Sequence, residues 1–260
     1  MQLRRGDKAV LSISAGLAAI VVAAVAFGLL VVDRSPPPSK QPGNSSSSLL
    51  VMTWGPSLCR VERNNSGCRS GHVEKLGRTL ILHGLWPQPP TEQFCDVPTA
   101  DEGRARDHLR DTDIASLDLP QDVQSKLQSM MSDIKAMVPH EWYAHGSCSG
   151  VTPAVYFSAA VTLADQLGRI LDPVFEKAQG RQLSLGTIRE RIDAELGDGA
   201  GERVSLTCRD VDKKEIVVYE VQLSLPPVAE LGATQSTLSL QDLLFKGPTI
   251  SAQCRRGRVP

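Results

Sequence analysis

An uncharged, largely apolar run at residues 9–32 decides which part of this chain can form a globular domain. Its 24 residues exceed the roughly 20 that suffice to cross a bilayer, and they exceed the apolar core of a cleaved signal peptide. Arg4, Arg5 and Lys8 precede the run, and basic residues favour the cytoplasmic side. The pattern predicts a cytoplasmic basic tail at 1–8, an uncleaved transmembrane signal anchor at 9–32 and an extracytoplasmic remainder. A cleaved signal, favoured by the Ala-Val-Ala triplet at 24–26, would make the protein secreted and leave that compartment unchanged.

Residues 33–48 are rich in proline and serine and have no apolar face, so we expect a disordered linker there. The 212 residues that remain, 49–260, suit one domain with a substantial core better than two small ones. Residues 1–48 hold five of the 28 Lys/Arg and two of the 29 Asp/Glu, which leaves 23 and 27, a formal charge of −4. Proteins held on nucleic acid by general electrostatics are normally strongly basic. Any contact with nucleic acid must therefore be confined to a pocket.

All of the cysteines lie beyond the linker, and their even number in an exported domain predicts disulfides. Six cysteines allow 15 pairings. Cys59 and Cys68 are near neighbours, which favours a local bridge, and a bond from Cys208 to Cys254 would fasten the C-terminal tail to a strand. The remaining pair is Cys95 and Cys148. The absence of a C-x-x-C pair argues against a structural zinc site.

Strand-like and helix-like segments are interleaved beyond the linker. Short apolar runs predict strands at 50–54, 79–82, 204–208 and 216–225. Apolar residues at helical spacing predict helices over 121–138, 153–171 and 185–196, and Pro139 is expected to end the first and open another through His145. Because no regular βαβ rhythm is visible, we predict a single α+β domain with a central antiparallel sheet packed against helices.

Three histidines and one carboxylate form the most informative pattern. On a helix, Glu141 and His145 are one turn apart and share a face, with His140 beside them. His83 lies upstream, in Leu-His-Gly-Leu-Trp-Pro at 82–87. Imidazole titrates near pH 6.5, so these side chains, once together, can give and take protons near neutrality. Histidines five apart do not match the helical H-E-x-x-H spacing of zinc hydrolases, so we expect no metal and no other cofactor.

The segment 82–87 and the segment His-Glu-Trp-Tyr-Ala-His-Gly-Ser-Cys at 140–148 resemble the two active-site segments of the ribonuclease T2 family. The likeness extends to Thr-Trp-Gly-Pro at 53–56 and to the cysteine after each histidine segment, so it covers most of residues 49–254. Members of that family are exported, base-non-specific endoribonucleases with an α+β fold. The resemblance implies a catalytic domain at 49–260 that cleaves single-stranded RNA. In that chemistry the ribose 2′-hydroxyl attacks the phosphate and a 2′,3′-cyclic phosphate forms without a metal.

The resemblance also implies roles for the residues of the two segments. His145 would be the general base and His83 the general acid, although these two roles could be exchanged. His140 would be a cation on the phosphate, and Glu141 would orient or tune its neighbours. Trp86 would stack on a base, with packing in the core as its alternative role. The expected partners are single-stranded RNA and, through the N-terminal segment, the membrane; no obligate protein partner is evident.

One position departs from the family pattern. Where this chain has Ala144, the family commonly has a lysine whose charge helps to stabilise the transition-state phosphate. Losing one such group can cost about 10²–10³ in rate, so we expect Ala144→Lys to raise turnover unless another cation occupies that place. The departure keeps one alternative open, a weakly active or inactive membrane-tethered RNA-binding module of the same fold. A metal-dependent hydrolase using the second segment is the other rival.

Overall fold

The computed structural model describes residues 41–97, 101, 117–231 and 238–260, and the predicted tail and membrane anchor lie outside them. The described strands are β1 (Ser47–Trp54), β2 (Leu80–Gln88), β3 (Gln182–Ser184), β4 (Val204–Val211), β5 (Glu215–Leu225) and β6 (Arg256–Arg258). The described α-helices are α1 (Gly55–Val61), α2 (Ser66–Arg69), α3 (His72–Leu76), α4 (Gln121–Met130), α5 (Ile134–Ala144), α6 (Pro153–Lys177), α7 (Leu185–Leu196) and α8 (Leu240–Leu244). Short 3₁₀ turns lie at Gly146–Cys148, Ala200–Arg203 and Val228–Glu230.

The strands form one six-stranded sheet. β1 lies between β2 and β5 and is antiparallel to both, and β4 pairs with the other edge of β5. β6 pairs antiparallel with β3 and meets β5 in parallel at a single residue pair. The predicted α+β domain with a central antiparallel sheet packed against helices is therefore confirmed, and the parallel contact between β5 and β6 departs from that prediction.

The main core lies between one face of the sheet and α6. Leu50, Met52 and Leu85 from the sheet are fully or almost fully buried against Tyr156 and Leu163 of that helix. The helix begins where the sequence predicts, because the Thr152 side chain accepts a hydrogen bond from the helix's first turn. It runs on to Lys177, six residues beyond the predicted end. This long helix supports the strands that carry the site.

The helical pattern predicted over 121–138 is wrong as a single helix. The chain leaves the helix after Met130 and starts again at Ile134, because the Asp133 side chain caps the second helix by accepting from the Lys135 backbone N–H. Pro139, predicted to separate two helices, lies inside α5 instead. A proline there removes one backbone hydrogen bond, and the rest of the helix tolerates that loss.

Three disulfides close the domain, and the predicted pairings are confirmed. The structure joins Cys59 to Cys68, Cys95 to Cys148, and Cys208 to Cys254. The second bond links segments 53 residues apart in sequence, one following each histidine segment. It removes chain entropy from the unfolded state, which stabilises the arrangement of those segments.

The first described strand starts at Ser47, two residues before the predicted start of the domain. The Ser48 side chain is fully buried and donates a hydrogen bond to the Pro226 carbonyl at 2.7 Å, which ties this end of the predicted linker into the sheet. Among the described helices, none alone has the length and apolar character to cross a membrane. The segments Ile134–Cys148 and Pro153–Lys177, bent by 106° relative to each other, pass that test only as a pair and only by length and composition.

Candidate active site

His83 lies at a bulge in β2. Gly84 pairs with Val51 of β1 and Leu82 pairs with Met52, so His83 is the extra residue between two regular pairs. A bulge re-aims the side chain of the extra residue, and bulges are common next to active sites. The His83 side chain is 26 % exposed although the strand around it is buried. The imidazole is thus held by a buried strand and remains accessible to a ligand.

The second histidine segment ends α5. Glu141 lies in the last full turn with its side chain completely buried, and the backbone N–H of His145 donates to the Glu141 carbonyl at 3.1 Å. His145 is the residue that caps the helix, and it is 8 % exposed. His140 lies beside it, with ring centroids 6.1 Å apart. Glu141 and His145 therefore lie one helical turn apart, as the sequence predicts.

Trp86 connects the two segments. Its ring lies 5.0 Å from the His83 ring, edge-on, and 5.1 Å from the His145 ring, in a stacked arrangement with a 25° interplanar angle. Its indole N–H donates to Glu141 Oε2 at 2.9 Å. One face of the indole is therefore occupied by His145, and Trp86 is only partly buried. The structure brings together all five residues that the sequence singled out.

Gly84 makes the approach of the two segments possible. A Cβ atom at this position would lie 1.8 Å from Glu141 Oε2 and 2.6 Å from Trp86 Nε1. Atoms cannot approach that closely, so only glycine lets the carboxylate of α5 pass over β2 at this point. The glycine of the first motif is required by contact with the carboxylate of the second.

The pKa values of the two histidines at the centre of the site are shifted in opposite directions. Burial lowers the pKa of His145, the charges of His140 and His83 lower it further, and the result is about 3. Burial also lowers the pKa of His83, but a hydrogen bond to Glu220 and the charges of Glu141, Glu220 and Glu62 outweigh burial and raise it to about 9. Near neutral pH, one imidazole is therefore neutral while the other carries a proton. This is the division that a paired base and acid need.

Glu141 is the buried carboxylate between them. Burial raises its pKa to about 7, against the opposing effects of the His83 charge and the Trp86 N–H. Its Oε2 accepts from Trp86, while Oε1 lies 3.8 Å from His83 Nε2 and has no hydrogen-bond partner among the described residues. The carboxylate thus fixes the indole and faces His83 without a direct hydrogen bond.

Glu220 of β5 is a residue of the site that the sequence reasoning missed. It is 3 % exposed, and its Oε1 accepts from His83 Nδ1 at 2.8 Å. Its Oε2 accepts from the Thr207 hydroxyl at 3.1 Å. The sequence signal for it is a carboxylate in the middle of a largely apolar strand. Carboxylates are rarely buried without a partner, so this position indicates a group that contacts another charged or polar side chain.

Ala144 does not face open space. It is 2 % exposed and packs in a small cluster with Phe94, and the Phe94 backbone N–H donates to the Ala144 carbonyl at 3.1 Å. A lysine here would have to displace this aromatic cluster to reach the site. The sequence-based expectation that Ala144→Lys raises turnover therefore carries a packing cost that the sequence alone does not reveal.

Three residues of the site lie close enough together that they could hold a metal ion. His140, Glu141 and His145 each offer one ligand atom, and these atoms lie within 4.8 Å of one another. A second such set, Glu92 with Cys95 and Cys148, cannot offer thiolates because the two cysteines are bonded to each other. The first set belongs to the acid–base cluster, so a chelator experiment is needed to distinguish a metal site from a metal-free acid–base site.

Comparison with known proteins identifies the family of the chain. A sequence model described as the Ribonuclease T2 family matches residues 46–240. Ribonuclease MC of Momordica charantia is 30 % identical over 183 residues, which cover 67 % of this chain and 84 % of that protein.

Two solved structures share the fold. A mutant of RNase MC1 in complex with 5′-UMP superposes with a TM-score of 0.52 at 24 % identity, covering 72 % of this chain and 90 % of the other. RNase NT in complex with 5′-AMP gives the same TM-score at 20 % identity, covering 72 % and 88 %. With the family match over three quarters of its length, the chain belongs to the Ribonuclease T2 family of RNA-cleaving endoribonucleases.

Proposed function

We propose that this endoribonuclease cleaves single-stranded RNA by histidine acid–base transesterification, without a metal, through a 2′,3′-cyclic phosphate. One observation carries the proposal. His83 from β2 and His145 from the end of α5 lie against the same indole ring, at centroid distances of 5.0 and 5.1 Å. Two imidazoles held against one ring can act on the two ends of one phosphodiester.

The opposite pKa shifts favour one assignment of roles. His145, neutral above a pKa of about 3, removes the proton from the ribose 2′-hydroxyl as that oxygen attacks phosphorus. His83, protonated below a pKa of about 9, gives its proton to the departing 5′-oxygen. The bond from phosphorus to the 5′-oxygen breaks, and the products are a 2′,3′-cyclic phosphate and a 5′-hydroxyl. One proton is taken and one is given, so the step is balanced.

The remaining site residues have supporting roles in this proposal. His140, half-buried beside His145, is a cation for the phosphate. Glu141 holds Trp86 through the 2.9 Å hydrogen bond, and the indole face that is not covered by His145 is the platform for a base. Stacking tolerates any base, which fits cleavage without strict base preference. The related RNase MC1 and RNase NT structures contain 5′-UMP and 5′-AMP, which supports nucleotide binding by this fold.

The location of the enzyme is part of the proposal. Residues 9–32 would anchor it, the residues from 33 to the start of β1 would serve as the linker, and the domain that begins with β1 would face the extracytoplasmic side. The three disulfides of the domain support an oxidising compartment.

The test uses the full-length chain with single-stranded RNA and identifies the 3′ ends of the products. We expect 2′,3′-cyclic phosphate ends, unchanged activity in excess chelator, and no cleavage of DNA or of RNA methylated at the 2′-oxygen. His145→Ala should abolish cleavage, whereas His72→Ala, a change outside the site on α3, should not. Cleavage of 2′-methylated RNA would exclude internal attack. Loss of activity on chelation would instead favour a metal held by the cluster of His140, Glu141 and His145.

A second candidate function is a weakly active or inactive membrane-tethered RNA-binding module. It is favoured by Ala144, which supplies no charge to the transition state. RNA binding with no cyclic-phosphate product at any pH between 4 and 9 would support this candidate against the enzyme.

A further inference from the structure

Glu220 contacts His83 from the side opposite to α5. It lies on β5, paired with Thr53 of β1 and with Thr207 of β4, next to a second irregularity in the strand register. The side chain reaches across β1 to the imidazole, and the bond from His83 Nδ1 to Glu220 Oε1 is 2.8 Å long. The contact thus joins residues 137 apart in the chain within a buried part of the sheet.

The geometry of this contact determines which nitrogen of His83 carries a fixed proton. An ionised carboxylate only accepts hydrogen bonds, so Nδ1 must be the donor. Nε2 is then the nitrogen that faces away from Glu220, toward Glu141 Oε1 at 3.8 Å. A general acid needs one nitrogen held by the protein and the other free to deliver its proton, as in a histidine oriented by a buried aspartate.

Glu220 is itself held in place. Its second oxygen accepts from Thr207 at 3.1 Å, so both oxygens have partners and the carboxylate has little freedom to rotate. His83 and nearby charges hold the pKa of Glu220 below its usual value, although burial alone would raise it. The group is therefore a fixed anion beneath the imidazole.

We propose that Glu220 is a positioning residue of the cleavage reaction, which holds His83 by Nδ1 so that its Nε2 delivers a proton to the leaving oxygen. Thr207 supports it by fixing the second carboxylate oxygen. This inference rests on the proposed acid role of His83. It adds a residue from a third strand to a site otherwise built from two segments.

Other charged groups face the same imidazole and must be considered in any pH effect. Glu141 approaches from α5 and Glu62 acts from the end of α1, both of which favour the protonated form, and the charge on His83 in turn affects His145. The positive charge of Arg209 on β4 lowers the pKa of Glu220. Among the groups that favour the protonated form, the hydrogen bond to Glu220 has the largest effect. Removing the Glu220 charge alone should therefore shift the titration of His83 downward.

The test variant is Glu220→Gln, because the amide keeps the shape of the side chain. Its oxygen can still accept from His83 Nδ1, and its NH₂ can still donate to Thr207, so the fold is retained while the charge is lost. An adjacent opposite charge shifts a pKa by about one to three units. We expect the alkaline limb of kcat/KM on a ribodinucleotide to move down by at least one pH unit from about 9, which lowers kcat/KM by at least about tenfold at pH 10 and hardly at all at pH 5.

A structural role would behave differently, since a loosened fold lowers the rate by the same factor at every pH. Two matched variants make this comparison. Thr207→Val keeps the carboxylate charge and removes only its support, so the limb should move by less than in Glu220→Gln. Gln222→Leu removes a buried polar group two residues along the same strand, where its oxygen accepts from Gln253, and should leave the pH profile unchanged.

An NMR titration of the His83 ring provides a readout that does not depend on catalysis. A downward shift of at least one unit in Glu220→Gln, together with the pH-dependent rate loss, supports the inference. An unshifted titration, or a rate loss equal at all pH values, overturns it. If the wild-type chain yields no cyclic-phosphate ends, the proposed function fails, and the titration still decides whether Glu220 controls the imidazole.

Discussion

Substituting Gly84 by alanine tests whether the two histidine segments must touch as closely as the structure indicates. The added Cβ would lie 1.8 Å from Glu141 Oε2, whereas ordinary contacts of a Cβ begin at 3.4 Å. The carboxylate or the strand must therefore move by about 1.6 Å, and the carboxylate is fully buried, where close packing opposes such a movement. The displacement would break the 2.9 Å bond to Trp86.

The expected cost follows from that displacement. A misplacement of about 1 Å can lower a rate by about 10²-fold, and overpacking a core costs about 1–3 kcal/mol. We expect Gly84→Ala to lose at least about 10²-fold in kcat/KM on a ribodinucleotide and about 1–3 kcal/mol in the free energy of unfolding. The rate is measured by initial velocities, corrected for the folded fraction, and stability is measured by urea unfolding.

The matched control is Gly168→Ala in α6. A Cβ there meets only Asp172 Oδ2, at 3.7 Å, which is an ordinary contact. Alanine in a helix interior is more stable than glycine by about 0.5–1 kcal/mol, so this variant should keep its activity and gain slightly in stability. Wild-type activity and stability in Gly84→Ala would show that Glu141 does not occupy this position and would refute the packing argument.

Three further predictions follow from the charges, the disulfides and the departure from the family pattern. The plot of kcat/KM against pH should be bell-shaped, falling below about pH 3 as His145 becomes protonated and above about pH 9 as His83 loses its proton, with its centre on the acid side of pH 7. Replacing Cys95 and Cys148 together by serine should cost about 4 kcal/mol in urea unfolding, because the bond closes a loop of 53 residues. Ala144→Lys should lower stability by about 1–3 kcal/mol in the same assay, because the side chain is buried against an aromatic cluster.

Each of these has a control or an outcome that contradicts it. A rate that keeps rising into alkaline pH would refute the assignment of an acid with a pKa near 9. Removing the Cys59–Cys68 bond, which closes a loop of nine residues, should cost only about 2.5 kcal/mol. A loss equal to or larger than that caused by removing the Cys95–Cys148 bond would refute the loop-length argument. A stable Ala144→Lys variant with higher turnover would show that the aromatic cluster yields and that the lysine reaches the phosphate.

Much of the site was predictable because it is encoded locally. The one-turn relation between Glu141 and His145 depends only on helical spacing, and the first motif contains both His83 and Trp86. The disulfide pairings followed from proximity in sequence and from the elimination of other partners. Each of these inferences needs only a short stretch of sequence or the number and order of the cysteines.

The rest of the site depends on contacts between distant segments. Glu220 reaches His83 across an intervening strand, at a separation of 137 residues, and no local pattern reveals a register irregularity in a strand. The end of α4 and the new helix start after Asp133 were missed because apolar residues continue at helical spacing through this position. The Asp133 side chain caps the second helix, and this local hydrogen bond decides the boundary despite the continuous apolar spacing. Likewise, the burial of Ala144 comes from Phe94, which lies 50 positions earlier in the chain.

The division of labour between the two imidazoles is the central claim, and a change of leaving group tests it most directly. A ribodinucleotide needs a proton on its departing 5′-oxygen, whereas a uridine 3′-aryl phosphate releases a phenolate that needs none. We predict that His83→Ala loses about 10²–10⁴-fold on the dinucleotide and almost nothing on the aryl ester, while His145→Ala loses activity on both. An equal loss for His83→Ala on the two substrates, or rescue of His145→Ala by the aryl ester, would contradict the account.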